Sequence, residues 1–124
     1  MIGQGLVNVI VSTAFWNGSF LFVSKSTNKS FLNQYPCHVI DDIKNRIISI
    51  FHGSILFWLC FYHVVFQNPQ YNTAVSSMQE YLVIFSLGYF IYDFASCYYY
   101  KLVDTGLIIH HSMALTGYAT ILYT

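Results

Sequence analysis

The sequence has little charge, no basic excess and no clustered cysteine, and each shortage excludes a class of protein. Only 8% of its 124 residues are charged, whereas 56% are hydrophobic. A soluble domain usually has about a quarter of its residues charged, so lipid must be the solvent over much of this surface. Lys plus Arg equals Asp plus Glu at five each, which leaves no positive field for nucleic acid. The distant Cys37, Cys60 and Cys97 form neither a disulfide framework nor a zinc site.

Long apolar runs take the place of the missing charge. A helix that spans a bilayer needs about 20 mostly apolar residues, and four segments meet or approach that length: Ile2–Val23, Ile47–Phe66, Tyr81–Tyr100 and Gly106–Thr124. Proline is absent from all four, since Pro36 and Pro69 fall in the connections, where helices are expected to end. The sequence therefore predicts an all-α fold, a polytopic membrane bundle of about four transmembrane helices.

The loop charges predict an orientation. The first connection, Ser24–Arg46, carries four of the five basic residues, whereas Gln67–Gln79 carries no charge. The excess of basic residues in cytosolic loops places the first connection in the cytosol and the N-terminus outside. The sequon at Asn28 is then expected to stay unmodified. Asp41 and Asp42, just before the second segment, are expected to cap its helix.

The third segment carries a stripe of polar side chains. Its members recur every three or four residues and therefore share one helical face: Ser86, Tyr89, Asp93, Ser96 and Tyr100. A charged group near the middle of a bilayer costs about 2.5–3.5 kcal/mol on insertion scales. We therefore expect Asp93 to face the interior of the bundle and to have a polar partner.

Histidines on two other segments are the candidate partners. One face of the second segment carries Ser49, His52, Leu56, Leu59 and His63. In the fourth segment His110 and His111 are neighbours, so their side chains diverge by about 100° on a helix. The face of His110 continues through Ala114 and Gly117, which are small enough for close helix packing. We therefore expect His110 to face the interior, with His111 beside it.

Helix rise places these groups at similar depths. At about 1.5 Å per residue, the cytosolic leaflet would hold a buried cluster of His52, Asp93, His110 and His111. The cluster has two interpretations: a structural network whose members satisfy one another, or a functional site, which intramembrane ionisable groups often mark. His63 belongs near the opposite face and is interpreted as structural, as is Glu80 at a helix end.

Three short motifs occur in order on successive predicted helices. They are an Arg-x-x-Ser-x-x-His opening at Arg46, Ser49 and His52, a Tyr-Asp pair at Tyr92 and Asp93, and an acidic residue, Asp104, ahead of the paired His110 and His111. Together they resemble the opening of the TLC domain, which ceramide synthases share with translocating-chain-associated membrane proteins. The resemblance covers about residues 45–124. It divides the chain into residues 1–44, an N-terminal transmembrane helix with a polar cytosolic loop, and residues 45–124, the N-terminal part of a TLC-type domain.

In the acyl-transferring members, the resemblance implies transfer from acyl-coenzyme A, as co-substrate, to a long-chain amine, with the histidines essential. A neutral imidazole can take the proton of an attacking amine or accept the acyl group itself. A carboxylate such as Asp93 would hold the tautomer of that imidazole. Under this hypothesis the candidate catalytic residues are His110, His111, Asp93 and His52.

A second hypothesis is a non-enzymatic membrane protein that binds lipid or regulates lipid composition, without a cofactor. It is favoured by Ala114, where ceramide synthases usually carry Thr, and by the expected lack of homeobox-like or acyl-coenzyme A-handling appendages. The ending "ATILYT" has no flanking charge and predicts a truncated form. A di-iron hydroxylase would need more histidine clusters than five histidines provide. The expected partners are membrane lipids and not nucleic acid, and the expected location is the endoplasmic reticulum or the plasma membrane.

Overall fold

Four α-helices make up the fold. The structure, a computed structural model, describes residues 2–27, 34–67, 75–102 and 105–123. The helices are α1 (Ile2–Ser26), α2 (Cys37–Phe66), α3 (Ser77–Tyr99) and α4 (Thr105–Tyr123), and no strand occurs in the described ranges. Three of them, α1, α2 and α3, are long and apolar enough to cross a membrane. The predicted all-α membrane bundle is confirmed, whereas a fourth span through α4 stays a prediction.

The second helix begins earlier than its apolar run. It starts at Cys37 rather than near Ile47, after Pro36 at the N-cap with φ −59°. Proline suits the start of a helix because its fixed φ is close to the helical value and because the first N–H groups need no partner within the helix. The polar residues between Cys37 and Ile47 are therefore helical, although their polarity predicted a loop.

Two acidic residues stabilise this polar stretch from within the helix. Asp42 accepts a hydrogen bond from Nε of Arg46 at 2.8 Å, and Asp41 lies 3.6 Å from Nζ of Lys44. Such i,i+4 and i,i+3 pairs each contribute about 0.2–0.5 kcal/mol to a helix. The expectation that Asp41 and Asp42 cap α2 is wrong, because both lie beyond its first turn.

Specific caps fix both ends of α3. At its start, Ser76 and Gln79 form a reciprocal capping box, in which each side chain accepts a hydrogen bond from the backbone N–H of the other. Beyond its end, Lys101 has φ 56°, in the left-handed region that few residues other than glycine adopt. Leu102 N–H donates to the Cys97 carbonyl at 2.9 Å, which together with the turn at Lys101 forms a Schellman motif. The chain therefore turns sharply, and α4 returns along α3.

The central helix of the bundle is α3. In the most apolar stretch of α3, 44% of the residues are buried, whereas the corresponding share is 17% in α1 and in α2. Four of the five members of the predicted polar stripe are buried on this helix, namely Ser86, Tyr89, Asp93 and Ser96. The fifth, Tyr100, is partly buried at the C-cap. Around it lies an aromatic and aliphatic core formed by Trp16, Phe20, Ile48, Tyr89 and Tyr92. The site residues are thus presented on the helix that the other three surround.

At Gly88, α1 and α3 approach each other very closely. A Cβ atom built on Gly88 would lie 2.3 Å from Oγ of Ser12 and 2.9 Å from the carbonyl carbon of the Ser12 backbone. Such distances are shorter than any van der Waals contact, so only glycine fits here without moving a helix. Small residues at helix crossings serve this purpose in membrane bundles.

Gly88→Ala is expected to destabilise the bundle by about 2 kcal/mol, since overpacking of a close contact typically costs 1–3 kcal/mol. The measurement is the midpoint of thermal aggregation of the purified protein in detergent. Gly117→Ala is the matched control: a Cβ on Gly117 meets nothing within 4 Å, so alanine there should leave stability unchanged or raise it slightly. Equal effects of the two substitutions would contradict the tight α1–α3 crossing.

Candidate functional site

The candidate site is centred on the carboxylate of Asp93, which is 6% exposed. Its Oδ2 lies 2.5 Å from Nε2 of His111 on α4. Its Oδ1 accepts a hydrogen bond of 2.6 Å from the side-chain amide of Asn45 on α2. One carboxylate therefore joins three helices. Asp93 has polar partners inside the bundle as expected, although of these only His111 was among the predicted ones.

Both ring nitrogens of His111 are engaged. Nδ1 lies 2.9 Å from the Leu107 carbonyl oxygen, which can only accept, so Nδ1 must carry a proton. The contact between Nε2 and Asp93 then holds one further proton. Whether that proton resides on the imidazole or on the carboxyl, the pair as a whole has zero net charge. A neutral, fully bonded pair is the arrangement that a low-dielectric interior tolerates best.

Asn45 connects the pair to a wider hydrogen-bond network. Its side-chain carbonyl accepts from the Tyr92 hydroxyl at 2.8 Å, and its backbone carbonyl accepts from Ser49 Oγ at 3.1 Å. The Tyr89 hydroxyl donates in turn to Ser49 Oγ at 2.7 Å. Asn45 was not predicted as a site residue, because the polar residues around it indicated a loop. A signal was present, since Asn45 lies four residues before Ser49 and seven before His52, on the same helical face.

His52 does not join this network directly. Its ring stacks on Tyr89 with centroids 3.8 Å apart and planes inclined by 9°, and Trp16 meets it edge-on at 5.3 Å. Its buried Nε2 has no hydrogen-bond partner among the residues that the structure describes. His52 therefore lies in an aromatic layer next to the polar pair. Instead of the expected contact with Asp93, it stacks on Tyr89, whose hydroxyl belongs to the hydrogen-bond network.

The two neighbouring histidines have the opposite roles to those expected. His111 is 2% exposed. His110 is exposed, and its ring contacts within the described ranges are edge-on ones with Phe90 and His111, at 6.2 and 5.5 Å between ring centroids. The expectation that His110 faces the interior is wrong. The reason is side-chain volume: Leu115 and Tyr118, on the His111 face, pack against the core and fill the groove along α3, which the small residues on the His110 face would leave empty.

The other residues singled out from the sequence either lie away from the Asp93–His111 pair or are outside the described residues. His63 is buried, and its Nδ1 lies 2.5 Å from the side-chain oxygen of Gln67, at the far end of α2. Glu80 is exposed in the first turn of α3. Asp104 and the sequon at Asn28 lie outside the described residues. Within the described ranges, no group of three His, Cys, Asp or Glu side chains is placed to hold a metal ion.

Comparison with known proteins adds a family to this geometry. The family model of the TLC domain matches residues 42–124, which is more than half of the chain. The match includes most of α2, all of α3 and α4, and the whole Asp93 network. No solved structure matches the chain.

The contact between Asp93 and His111 predicts strong coupling. Asp93→Ala or His111→Ala leaves a buried polar partner unsatisfied and is expected to cost about 3–5 kcal/mol. The double substitution should destabilise the protein by about 2 kcal/mol less than the sum of the two single substitutions. A double-mutant cycle followed by thermal aggregation in detergent measures this coupling, with Glu80→Ala as a neutral control. The losses of stability from Asp93→Ala and His110→Ala should be additive. Coupling between Asp93 and His110, without coupling between Asp93 and His111, would contradict the geometry.

The unpartnered nitrogen of His52 predicts an unusual substitution pattern. His52→Phe keeps the stack on Tyr89 and removes a buried polar atom that lacks a partner, an arrangement that costs about 1–3 kcal/mol. We expect His52→Phe to be neutral or stabilising, and His52→Ala to cost about 3 kcal/mol through the cavity it leaves. Chemical or thermal unfolding in detergent compares the two. A large loss of stability in His52→Phe would mean that Nε2 has a partner in the native protein.

Proposed function

This chain belongs to the TLC domain family, and from that premise we propose that it is a multi-pass membrane protein that acts in membrane lipid homeostasis. It does so by binding lipid or by regulating lipid composition, in the endoplasmic reticulum or the plasma membrane. In the proposed orientation the connection before Arg46 faces the cytosol, so the Asp93 network lies in the cytosolic leaflet. Within the family the sequence resembles TLC domain-containing protein 5, also called transmembrane protein 136.

The observation that supports a non-enzymatic role is that both ring nitrogens of His111 already have hydrogen-bond partners. An imidazole that acts as base or nucleophile needs one nitrogen free to face the reacting group, while a carboxylate holds the other. Here Nε2 contacts Asp93, and the Leu107 carbonyl accepts the hydrogen bond of Nδ1–H. Neither nitrogen is available, and the pair is best explained as the bond that joins α3 to α4. Ala114, at a position where ceramide synthases usually carry Thr, supports the same conclusion.

An acyl-coenzyme A-dependent N-acyltransferase related to ceramide synthase is the second candidate, and His110 favours it. The ring of His110 is exposed and makes no hydrogen bond within the described part of the chain. In this reaction the amine nitrogen attacks the thioester carbonyl, and His110 takes the proton of the amine. The C–S bond then breaks, the amide forms, and the thiol of coenzyme A leaves with that proton. His110, and not His111, would be the catalytic residue.

Lipidomics distinguishes the two functions. Cells with and without the protein are compared with cells that express His110→Ala or the matched control Ser112→Ala, an exposed neighbour on α4. The proposal expects a shift in membrane lipid composition that both variants retain. A rise in ceramides that disappears in His110→Ala alone would favour the acyltransferase. A lipid profile that does not respond to the protein at all would overturn both.

A further inference from the structure

An apolar crevice of about 570 Å³ opens between α1, α2 and α3, on the side of the bundle away from the Asp93 network. Val11 and Phe15 of α1, Leu59 of α2, and Leu82 and Phe85 of α3 form its walls. All of these residues lie inside helices that are apolar and long enough to cross a membrane. The crevice is therefore surrounded by hydrocarbon and accessible from the bilayer.

Contacts between α1 and α3 lie between the crevice and the candidate site. Ser12 Oγ and Trp16 Nε1 both donate to the carbonyl of Phe85, at 3.1 and 3.3 Å. Trp16 is fully buried and lies between the crevice and the stacked rings of His52 and Tyr89. Along α3, Phe85 and Asp93 are eight residues or about 12 Å apart. The crevice is thus a separate place in the fold and not an extension of the Asp93 network.

The polar lining of the crevice indicates what kind of molecule fits. Asn8 contributes a side-chain amide that makes no hydrogen bond within the described part of the chain, and Tyr81 contributes an exposed phenol nearby. An amide inside the hydrocarbon layer is unfavourable unless it finds a partner. None of the described residues that line the crevice is charged. A phosphate or carboxylate would find no counter-charge there, whereas a neutral hydroxyl or amide would satisfy Asn8.

We propose that this crevice binds a membrane lipid whose polar end is an uncharged hydroxyl or amide. The polar end pairs with the amide of Asn8, and the hydrocarbon chain lies along Val11, Leu59 and Leu82. Small-molecule sites commonly have this composition, with apolar walls and a few polar groups that fix the orientation of the ligand. The inference rests on the proposed lipid-binding function and assigns it a site and a class of lipid.

Photolabelling of the purified protein in phosphatidylcholine nanodiscs tests this site. The probe is palmityl alcohol with a photoreactive group in its chain and an alkyne for detection, and palmityl phosphate with the same groups is the charged comparison. We expect saturable labelling by the alcohol, mapped by mass spectrometry to the α1 and α3 residues of the crevice, and at least fivefold weaker labelling by the phosphate. Asn8→Leu should lower labelling by the alcohol about fivefold, the loss expected for one hydrogen bond.

Leu59→Trp fills the crevice and should lower labelling about tenfold. Val64→Trp is its matched control, since Val64 is on the same helix, is exposed and does not line the crevice. If Leu59→Trp loses helicity by circular dichroism, Val11→Trp, at the exposed rim of the crevice, replaces it. Equal labelling by both probes, or undiminished labelling of a folded variant with a filled crevice, would overturn the proposal.

The experiment also separates this inference from the proposed function. A lipid profile that responds to the protein, together with labelling spread evenly over its exposed faces, would reject the crevice and retain the function. Selective labelling of the crevice without any change in cellular lipids would retain the site and reject the role in lipid homeostasis.

Discussion

The carboxylate of Asp93 has to be satisfied inside an apolar bundle, and the packing of three helices follows from that requirement. Its two oxygens bond to two different helices, Oδ2 to His111 on α4 and Oδ1 to Asn45 on α2. Because an unpaired charge at this depth costs several kcal/mol, any arrangement that separates these helices is unfavourable. The sharp turn at Lys101 brings α4 back along α3 and so allows the first of these bonds.

The aromatic layer next to Asp93 depends on the same interaction. Asn45 holds the first half of α2 against α3, which places His52, about two turns later, on the ring of Tyr89. Trp16 of α1 completes this layer and also donates to the carbonyl of Phe85. The layer divides the bundle into a polar half around Asp93 and an apolar half that contains the crevice. A neutral lipid in the crevice would therefore not reach the polar pair.

The sequence predicted the parts of the site that depend on helical periodicity. The stripe on α3 was predictable because polar residues at spacings of three and four stand out among Leu, Ile and Phe. The choice between His110 and His111 was not, because adjacent residues both lie near the interface and the volumes of Leu115 and Tyr118 decide which side packs. Asn45 was missed for a different reason. Polar residues before an apolar run suggest a loop, whereas pairs such as Asp42 with Arg46 extend the helix through them.

The two adjacent histidines have different roles: His111 holds the fold together, and His110 has the ring that is open to chemistry. A bond from each nitrogen of His111, to Asp93 and to the Leu107 carbonyl, fixes the ring and its proton, so the residue contributes to the fold at the expense of reactivity. His110 lies one residue earlier and points about 100° away, with no such constraint within the described part of the chain. A paired-histidine motif in an apolar helix can therefore be required for folding through one residue and for function through the other. Loss of activity on removing His111 would then reflect the loss of the α3–α4 bond and would not identify a catalytic group.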